Sequence, residues 1–292
     1  MVRVLVVLVV IAAVCASPKP APAQADVITV RDSCTLVDAI MAANADIPVG
    51  GCPAGDGSDV IELTADVVLT AIVEEDWANS RALGLPAITS TITLEGNGYT
   101  IRRSDQSGTP DFLLIYVRET GDLTLNDVNL SGSSTPVVPT LHDSAIINEG
   151  RLTLTDSTVT HNDTTALLNS GTATITGSKL SNNDGYGLAN FGPADITDTL
   201  VSGNSWAGIL NYSSLGPLTL SASAIRSNGG GVGGGIITYG DNVTLSDCSI
   251  EDNTGSGIHN EGTITITNCD IVRNLAGSGG GVYNNRGTVT LV

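Results

Sequence analysis

Ile146-Ile147-Asn148 recurs as Leu167-Leu168-Asn169, Leu188-Ala189-Asn190 and Ile209-Leu210-Asn211, with an equal interval between successive copies. The series continues with Ile236-Ile237-Thr238, Ile258-His259-Asn260 and Val282-Tyr283-Asn284, at longer and unequal intervals. Self-similarity at a near-constant period of about 21 residues is typical of solenoids, in which each repeat packs only on its neighbours. The spacing therefore predicts a stack of repeated coils.

Each repeat contains two further apolar positions. One column is Val159, Leu180, Val201, Ile225, Ile250 and Ile271, and an asparagine follows each member three residues later. The other is Leu154, Ile175, Ile196, Leu220, Leu245, Ile266 and Leu291. A strand rises about 3.3 Å per residue and neighbouring strands lie about 4.8 Å apart. Three apolar columns therefore predict an all-β parallel solenoid, with three short strands per coil of about 21 residues.

Columns of small or polar residues fit the same geometry. A tight bend is expected at a column of minimal side chains: Ala145, Ala166, Gly187, Gly208, Gly235, Gly257 and Gly281. The asparagine columns predict ladders of side-chain hydrogen bonds between coils. Cys248 and Cys269 occupy a column otherwise filled by Ser or Thr, which favours a buried thiol stack over a bridge. The run from Asn228 to Gly235 lengthens one repeat and predicts an extruded, flexible loop.

Residues 1–25 read as a signal peptide. Arg3 precedes an apolar run from Val4 to Ala16, and Ala23-Gln24-Ala25 offers a small-residue cleavage site. The run is shorter than the roughly 20 residues that span a bilayer, and no later segment is apolar enough to do so. We therefore expect a secreted or cell-surface protein cleaved near Ala25, with an N-terminal cap at 26–90 and the coil stack at 91–292.

Composition narrows the range of partners. The chain has 12 basic and 30 acidic residues, a formal charge of −18, which becomes 10 − 30 = −20 without the leader. Nucleic acids need basic surfaces, so they are not expected partners. The 3% aromatic content and 34 glycines agree with narrow coils filled by aliphatic side chains. Residues 26–90 hold 11 acidic residues and 2 arginines, a net charge of −9.

The predicted cap contains two cysteines and one amphipathic segment. Residues Cys34 to Asn44 have Leu36, Ala39, Ile40 and Ala43 at helical spacing, which predicts a helix covering the first coil. In an oxidising compartment Cys34 and Cys52 are expected to form a disulfide. Zinc is the alternative for these cysteines, although the sequence has neither a Cys-x-x-Cys pair nor a nearby histidine.

A family resemblance is carried by the segments Asp32-Ser33-Cys34-Thr35-Leu36-Val37-Asp38-Ala39-Ile40, Ala42-Ala43-Asn44 and Gly51-Cys52-Pro53-Ala54-Gly55-Asp56-Gly57-Ser58-Asp59-Val60-Ile61. Residues 30–64 resemble the CSLREA-type segment that heads exported bacterial right-handed parallel β-helix proteins. Val37 and Asp38 depart from that pattern, which usually has Arg and Glu there. The stack is similar to pectin-lyase-like β-helices, which implies a right-handed parallel β-helix with an N-terminal capping helix.

The sequence offers few catalytic candidates. Asp156, Asp198 and Asp247 share a column with Gly177, Ala222 and Asn268, a composition that favours a turn over a carboxylate pair. His142, His161 and His259 fall in different columns and are not expected to converge. Three aromatic residues, Tyr186, Trp206 and Tyr283, are predicted to lie near one corner of separate coils and to contact a glycan.

These observations favour an exported, non-catalytic β-helix that serves as a cell-surface or extracellular adhesion or structural module. Its expected partners are an extracellular polysaccharide or a host or cell surface. The alternative is a polysaccharide lyase or glycoside hydrolase of the pectin-lyase-like fold. No cofactor is expected, and calcium is kept as an alternative because of the negative charge. The strand beginning at Thr288 stops at Val292, which predicts a stack that continues beyond this sequence.

Overall fold

The computed structural model describes residues 27–76, 81–134, 144–212, 215–231 and 233–292. Almost all of the regular structure is parallel β-strand, arranged in three sheets that run along one stack of coils. The signal peptide predicted at 1–25 and His142 lie outside the described residues. Strands are numbered in chain order.

Sheet 1 contains eleven parallel strands: β1 (Val27–Val30), β2 (Ser58–Leu63), β6 (Thr91–Glu95), β9 (Asp122–Asn126), β12 (Arg151–Thr155), β15 (Thr172–Thr176), β18 (Ala194–Thr197), β21 (Leu218–Ser221), β24 (Val243–Ser246), β27 (Thr263–Thr267) and β30 (Thr288–Leu291). They follow one another in this order across the sheet. The strands β1 and β2, which fall within the predicted cap, therefore continue the same sheet as the stack.

Sheets 2 and 3 complete each coil. Sheet 2 contains β3 (Val67–Leu69), β7 (Thr100–Arg103), β10 (Asn129–Ser131), β13 (Thr158–Thr160), β16 (Lys179–Ser181), β19 (Leu200–Ser202), β22 (Ala224–Arg226), β25 (Ser249–Glu251) and β28 (Asp270–Val272). Sheet 3 contains β8 (Ile115–Val117), β11 (Ser144–Asn148), β14 (Thr165–Asn169), β17 (Leu188–Asn190), β20 (Ile209–Asn211), β23 (Gly233–Thr238), β26 (Ser256–Asn260) and β29 (Val282–Asn284). An antiparallel pair, β4 (Glu74–Asp76) and β5 (Arg81–Leu83), lies outside them.

The three apolar columns of the sequence map onto the three sheets. Leu154 pairs with Ile175 in sheet 1, Val159 with Leu180 in sheet 2, and Leu167 with Leu188 in sheet 3. The same registers hold along the stack, and these side chains form one buried core. The prediction of a parallel solenoid with three strands per coil is confirmed. Burial of each aliphatic side chain stabilises the fold by roughly 1.5–3 kcal/mol before the entropy cost.

Two ladders of buried asparagine side chains run along the stack, as predicted. In the first, Asn162, Asn183, Asn204, Asn228, Asn253 and Asn274 bond in sequence from Nδ2 to Oδ1 at 2.9–3.0 Å. In the second, at the end of sheet 3, Asn148, Asn169, Asn190 and Asn211 do the same at 2.7–2.9 Å. Because buried polar groups are costly unless paired, these ladders fix the register of one coil on the next.

The two columns of small residues are explained by different contacts. The predicted bend is found at Gly187, Gly208 and Gly281, which directly precede sheet 3 strands, although none of these glycines has a positive φ. The other four column members lie within strands: Ala145, Ala166, Gly235 and Gly257. A Cβ on Gly187 would lie 2.5 Å from Val201 Cγ1, so packing against the neighbouring column excludes a larger side chain. In the Ser and Thr column, Ser157 N–H donates to Ser178 Oγ at 3.1 Å. Cys248 N–H donates to Cys269 Sγ at 3.4 Å in the same way, and both thiols are free, as predicted.

A short helix, α1 (Leu36–Ala45), covers the first coil as predicted. Thr35 caps its N-terminus by accepting a hydrogen bond from Asp38 N at 3.1 Å. On its buried face, Ile40 lies with Leu94 and Leu125 around the apolar space at the mouth of the coil. Cys34 and Cys52, which flank the helix, are joined by a disulfide with a Cα–Cα distance of 4.6 Å.

Only the first part of the glycine-rich run fits the predicted loop, because Gly230 and Gly231 are exposed and have positive φ, and Val232 lies outside the described residues. Gly233, Gly234 and Gly235 are buried and begin β23, where a bulge separates Gly233 from Ile236 in the pairing with β26. A Cβ on Gly235 would lie 2.2 Å from the carbonyl oxygen of Gly257, so backbone approaches backbone here. Gly233 to Gly235 thus extend a strand of sheet 3. Among the described residues, no helix has the length and apolar content needed to cross a bilayer.

Candidate functional site

The outward face of sheet 3 differs from that of sheet 1. Sheet 1 presents mainly threonine to solvent, including Thr153, Thr174 and Thr265. Sheet 3 has, on the side opposite the main core, one register row of apolar or aromatic residues, called here the outer row: Tyr116, Ile147, Leu168, Ala189, Leu210, Ile237, His259 and Tyr283. All of them except Ile237 and Tyr283 are buried. Part of this row forms a hydrophobic cluster separate from the main core. Exposed aromatic residues, including Tyr212 and Tyr239, lie beside this row. Because exposed apolar groups often mark binding sites, this edge of sheet 3 is the candidate site.

Aromatic rings stack along one edge of the outer row. Phe191 and Tyr212 lie with ring centroids 5.6 Å apart and an interplanar angle of 9°, and Tyr212 and Tyr239 lie 4.6 Å apart at 13°. The series continues onto the row itself, since His259 lies 6.4 Å from Tyr239 and 5.1 Å from Tyr283. These five residues, Phe191, Tyr212, Tyr239, His259 and Tyr283, are called the aromatic stack.

The asparagine ladder aligns the stack. Phe191, Tyr212 and Tyr239 each follow a residue at the end of a sheet 3 strand, and their N–H groups donate to carbonyls one coil earlier at 2.7–2.9 Å. Their side chains therefore leave the coil at the same place in successive repeats. Tyr212 and Tyr239 are each 42% exposed and Tyr283 is 37% exposed, so their outer edges face solvent.

Two of the three predicted glycan-contact residues meet at the opposite edge of the row. Tyr186 and Trp206 precede their sheet 3 strands and pack edge to face, with centroids 4.8 Å apart. Tyr283 does not share that corner: it lies within β29, opposite His259 in register. The prediction that all three occupy one corner is wrong because Tyr186 and Trp206 precede their strands by two and three residues, whereas Tyr283 lies inside its strand.

Tyr186 packs on Trp206 at one edge of the outer row and lies near Tyr212 and Tyr239 at the other. Burial raises the pKa of its hydroxyl, and the nearby Tyr212 and Tyr239 raise it further. Burial is also the main cause of the raised pKa of Tyr239, and the neighbouring Tyr212 and Glu261 raise it further. The hydroxyls of Tyr186 and Tyr239 therefore stay protonated at neutral pH and can both donate and accept hydrogen bonds.

A histidine–carboxylate pair lies within the aromatic stack. His259 Nε2 is 3.0 Å from Glu261 Oε1, and Asn285 Nδ2 donates to the same oxygen at 3.0 Å. The bond from His259, followed by that from Asn285, lowers the pKa of Glu261. The imidazole is almost fully buried, and its Nδ1 atom has no hydrogen-bond partner among the described residues.

A charged cluster occupies the first coil of the row. The guanidinium groups of Arg81 and Arg118 each lie 4.9 Å from the ring centroid of Tyr116. Arg81 is paired with Glu149 at 2.9 Å, and Arg118 with Glu74 at 2.8 Å. Tyr116 donates its hydroxyl proton to Glu149, and burial followed by this contact raises the pKa of Tyr116 to about 12. The positive charges of Arg81 and Arg118 are therefore balanced by the negative charges of Glu149 and Glu74.

The right-handed β-helix region family model matches residues 146–292, half of the sequence. The chain belongs to the right-handed β-helix family. No curated protein matches this β-helix protein. Two solved structures from Azotobacter vinelandii are similar to it: the mannuronan C-5 epimerase AlgE6 A-module (12% identity, TM-score 0.43, covering 87% of this chain and 94% of that one) and the AlgE4 A-module (13%, 0.41, 90% and 92%).

The aspartate column of this β-helix protein is a turn position, as its composition predicts. Asp156, Asp198 and Asp247 have φ values of 49°, 50° and 55°, in the left-handed region that Asp, Asn and Gly tolerate. Their backbones turn the chain between sheets 1 and 2, away from the outer row. In the residues that the structure describes, no group of three or more His, Cys, Asp or Glu side chains is arranged to hold a metal ion.

Phe191, Tyr212, Tyr239 and His259 are site residues that the sequence interpretation missed. The sequence contains a pattern that could have identified three of them. Phe191 and Tyr212 directly follow members of the asparagine ladder, and Tyr239 follows Thr238, which occupies the equivalent position. The unequal lengths of the repeats hide the fact that Tyr212 and Tyr239 are stacked neighbours.

Proposed function

We propose that this protein is an exported, non-catalytic β-helix module that binds neutral glycans through the exposed residues of the aromatic stack, at a cell surface or in the extracellular space. The proposal rests mainly on one observation: exposed tyrosines repeat at the coil spacing along a single face. It requires export, which follows from the apolar leader ending near Ala25.

The stacked tyrosines suit an extended chain of sugars. Rings inside the stack cover each other's faces, so the surface offers ring edges and hydroxyl groups. Tyrosine combines apolar contact area with a hydroxyl that donates and accepts, which matches the mixed polar and apolar surface of a sugar. Since equivalent groups recur about every 4.8 Å, successive sugar units can meet equivalent contacts.

Charge favours neutral over acidic glycans. The exported chain has a formal charge of 10 − 30 = −20, and repulsion of a polyanion by such a surface slows association and weakens binding. Arg81 and Arg118, which contact Tyr116 of the outer row, do not offset this effect, because they are already paired with Glu149 and Glu74. A neutral polysaccharide therefore fits this face better than a uronate polymer.

The titratable groups of this face are held in structural contacts, which supports the non-catalytic role. Tyr116 keeps its proton at neutral pH because its pKa is about 12. One nitrogen of His259 is occupied by Glu261, and the other is enclosed. Asp156 and its column mates form turns on another edge.

A binding panel tests the proposal. Wild-type protein is titrated against immobilised neutral and uronate polysaccharides, together with Tyr212→Ala, Tyr239→Ala and the control Tyr99→Ala. Tyr99 is 36% exposed but lies outside the aromatic stack. An aromatic contact is worth about 1 kcal/mol, so each stack variant should bind a neutral glycan about fivefold more weakly, and the control should bind like wild type. Binding that all three variants retain would contradict the proposal.

The second candidate function is polysaccharide cleavage, which the His259–Glu261 pair favours. A carboxylate that fixes one imidazole nitrogen is an arrangement used in general acid–base catalysis. Reducing-end release from a panel of polysaccharides is the assay, with His259→Gln as the test variant and His161→Gln as the control. Turnover lost only in His259→Gln would favour cleavage over simple binding.

A further inference from the structure

Tyr212 and Tyr239 have a relationship that no other tyrosine pair among the described residues has. Their rings are nearly parallel, with centroids 4.6 Å apart. Each side chain is 42% exposed. Tyr186 instead contacts Trp206, and Tyr283 contacts His259.

This geometry places the reactive carbons of two phenols together. The near-parallel stacking at this distance brings the ring carbons of one phenol, including those ortho to the hydroxyl, close to the other ring. Those are the carbons at which phenoxyl radicals couple. The two residues are also held in place, because Tyr212 N–H donates to Asn190 O at 2.8 Å and Tyr239 N–H donates to Asn211 O at 2.9 Å. The pair is thus arranged for coupling within one molecule.

We propose that Tyr212 and Tyr239 are a modification site, at which a haem peroxidase acting with hydrogen peroxide forms an intramolecular dityrosine. Each phenol loses one hydrogen atom to the oxidised peroxidase, and hydrogen peroxide is reduced to two molecules of water. The two radicals form one carbon–carbon bond between ortho positions. The hydrogen on each coupled carbon then moves to its oxygen and restores both phenols, so the protein loses two hydrogen atoms in total.

The link would join two coils across the longest interval between successive copies of the repeated sheet 3 segment that begins at Ile146. Tyr212 and Tyr239 lie on either side of the segment that contains Asn228 and the glycine run. A covalent bond between them closes that segment into a loop and reduces the conformational freedom of the unfolded chain, as a disulfide does. We therefore expect the cross-linked protein to unfold at a higher temperature.

Peroxidase treatment of the purified protein tests the site. At low protein concentration, a limited dose of hydrogen peroxide should produce blue dityrosine fluorescence in a monomer lighter by two hydrogen atoms. Peptide mapping should place the link between Tyr212 and Tyr239, and the melting temperature should rise. The variants Tyr212→Phe and Tyr239→Phe should each abolish the monomeric product, whereas Tyr99→Phe should form it at the wild-type rate.

Three results would overturn the proposal. The first is a link that maps to another pair of tyrosines. The second is a product found only in dimers, whose yield rises with protein concentration. The third is an absence of product while free tyrosine added to the same reaction is coupled, which would show that the peroxidase was active. Circular dichroism of each phenylalanine variant excludes misfolding as the cause of a lost product.

Discussion

Replacement of Asn204 by leucine tests whether the buried asparagine ladder fixes the stack. Its Oδ1 accepts from the N–H of Asn183 at 3.2 Å and from Asn183 Nδ2 at 2.9 Å. Its Nδ2 donates to Leu180 O at 3.0 Å and to Asn228 Oδ1 at 2.9 Å. Asn204→Leu removes all four bonds while keeping a side chain of similar length.

The expected loss follows from these four contacts. Two of the four partners keep other hydrogen bonds, because Asn183 Nδ2 still donates to Val159 O and Ser181 O, and Asn228 Oδ1 still accepts from the Asn204 N–H. The Asn183 N–H and Leu180 O lose their contacts, and at about 1–3 kcal/mol for each buried polar group this costs about 4 kcal/mol. Burial of the leucine side chain returns about 2 kcal/mol. We therefore expect the free energy of unfolding to fall by about 2 kcal/mol or more, a large fraction of the stability of a typical domain.

Equilibrium urea unfolding followed by far-ultraviolet circular dichroism measures this loss. Asn126→Leu is the matched control, because Asn126 is half-buried in sheet 1 and its Nδ2 donates to Glu95 Oε2 at 2.6 Å rather than joining a ladder. The control should lose less than about 1 kcal/mol. An Asn204→Leu loss no larger than that of Asn126→Leu would refute the assigned role of the ladder.

Four further outcomes are expected. Replacement of both Cys34 and Cys52 by serine should lower the free energy of unfolding by about 3 kcal/mol, because the disulfide closes a loop in the unfolded chain; an unchanged urea midpoint would contradict this. The buried Cys248 thiol, whose pKa is raised to about 11, should resist iodoacetamide at pH 8 until the protein unfolds, as mass spectrometry would show. The pKa of Glu261 is lowered from its ordinary value of 4.5 in the folded state, so ionised Glu261 stabilises the fold above pH 4.5. This stabilisation is lost as the pH falls through the folded-state pKa. The melting temperature of a Glu261→Gln variant should therefore fall less on acidification than that of the wild type. Added Ca²⁺ should leave the melting temperature unchanged, and a rise that EDTA reverses would instead support a calcium-stabilised stack.

The regular part of the fold could be predicted because each coil places the same residue type at the same point. Leu154 and Ile175, or Asn183 and Asn204, satisfy the same local environment in successive repeats, so the sequence period carries the register. The cap helix was predictable for a local reason, since its apolar residues recur at helical spacing beside the Thr35 cap.

The irregular parts depended on contacts that the period does not encode. Whether Gly233 to Gly235 form a loop or a strand is decided by the close approach of Gly235 to the carbonyl of Gly257 in the next coil. The aromatic stack was missed for a related reason: Tyr212 and Tyr239 meet only because β20 pairs with β23 across a repeat that is longer than the repeats before it from Ile146 onward. Tyr186 and Trp206, which lie in successive coils, were correctly predicted to lie together.

Calorimetric titration of a neutral oligosaccharide into wild-type protein and into the double variant Tyr212→Ala/Tyr239→Ala tests the central proposal most directly. The oligosaccharide is a fragment of whichever neutral polysaccharide binds in the panel. Two aromatic contacts at about 1 kcal/mol each predict an affinity roughly 30-fold lower in the double variant, with Tyr99→Ala unchanged. Equal affinity in all three proteins, or tighter binding of a uronate oligomer than of the neutral one, would contradict glycan recognition by the aromatic stack.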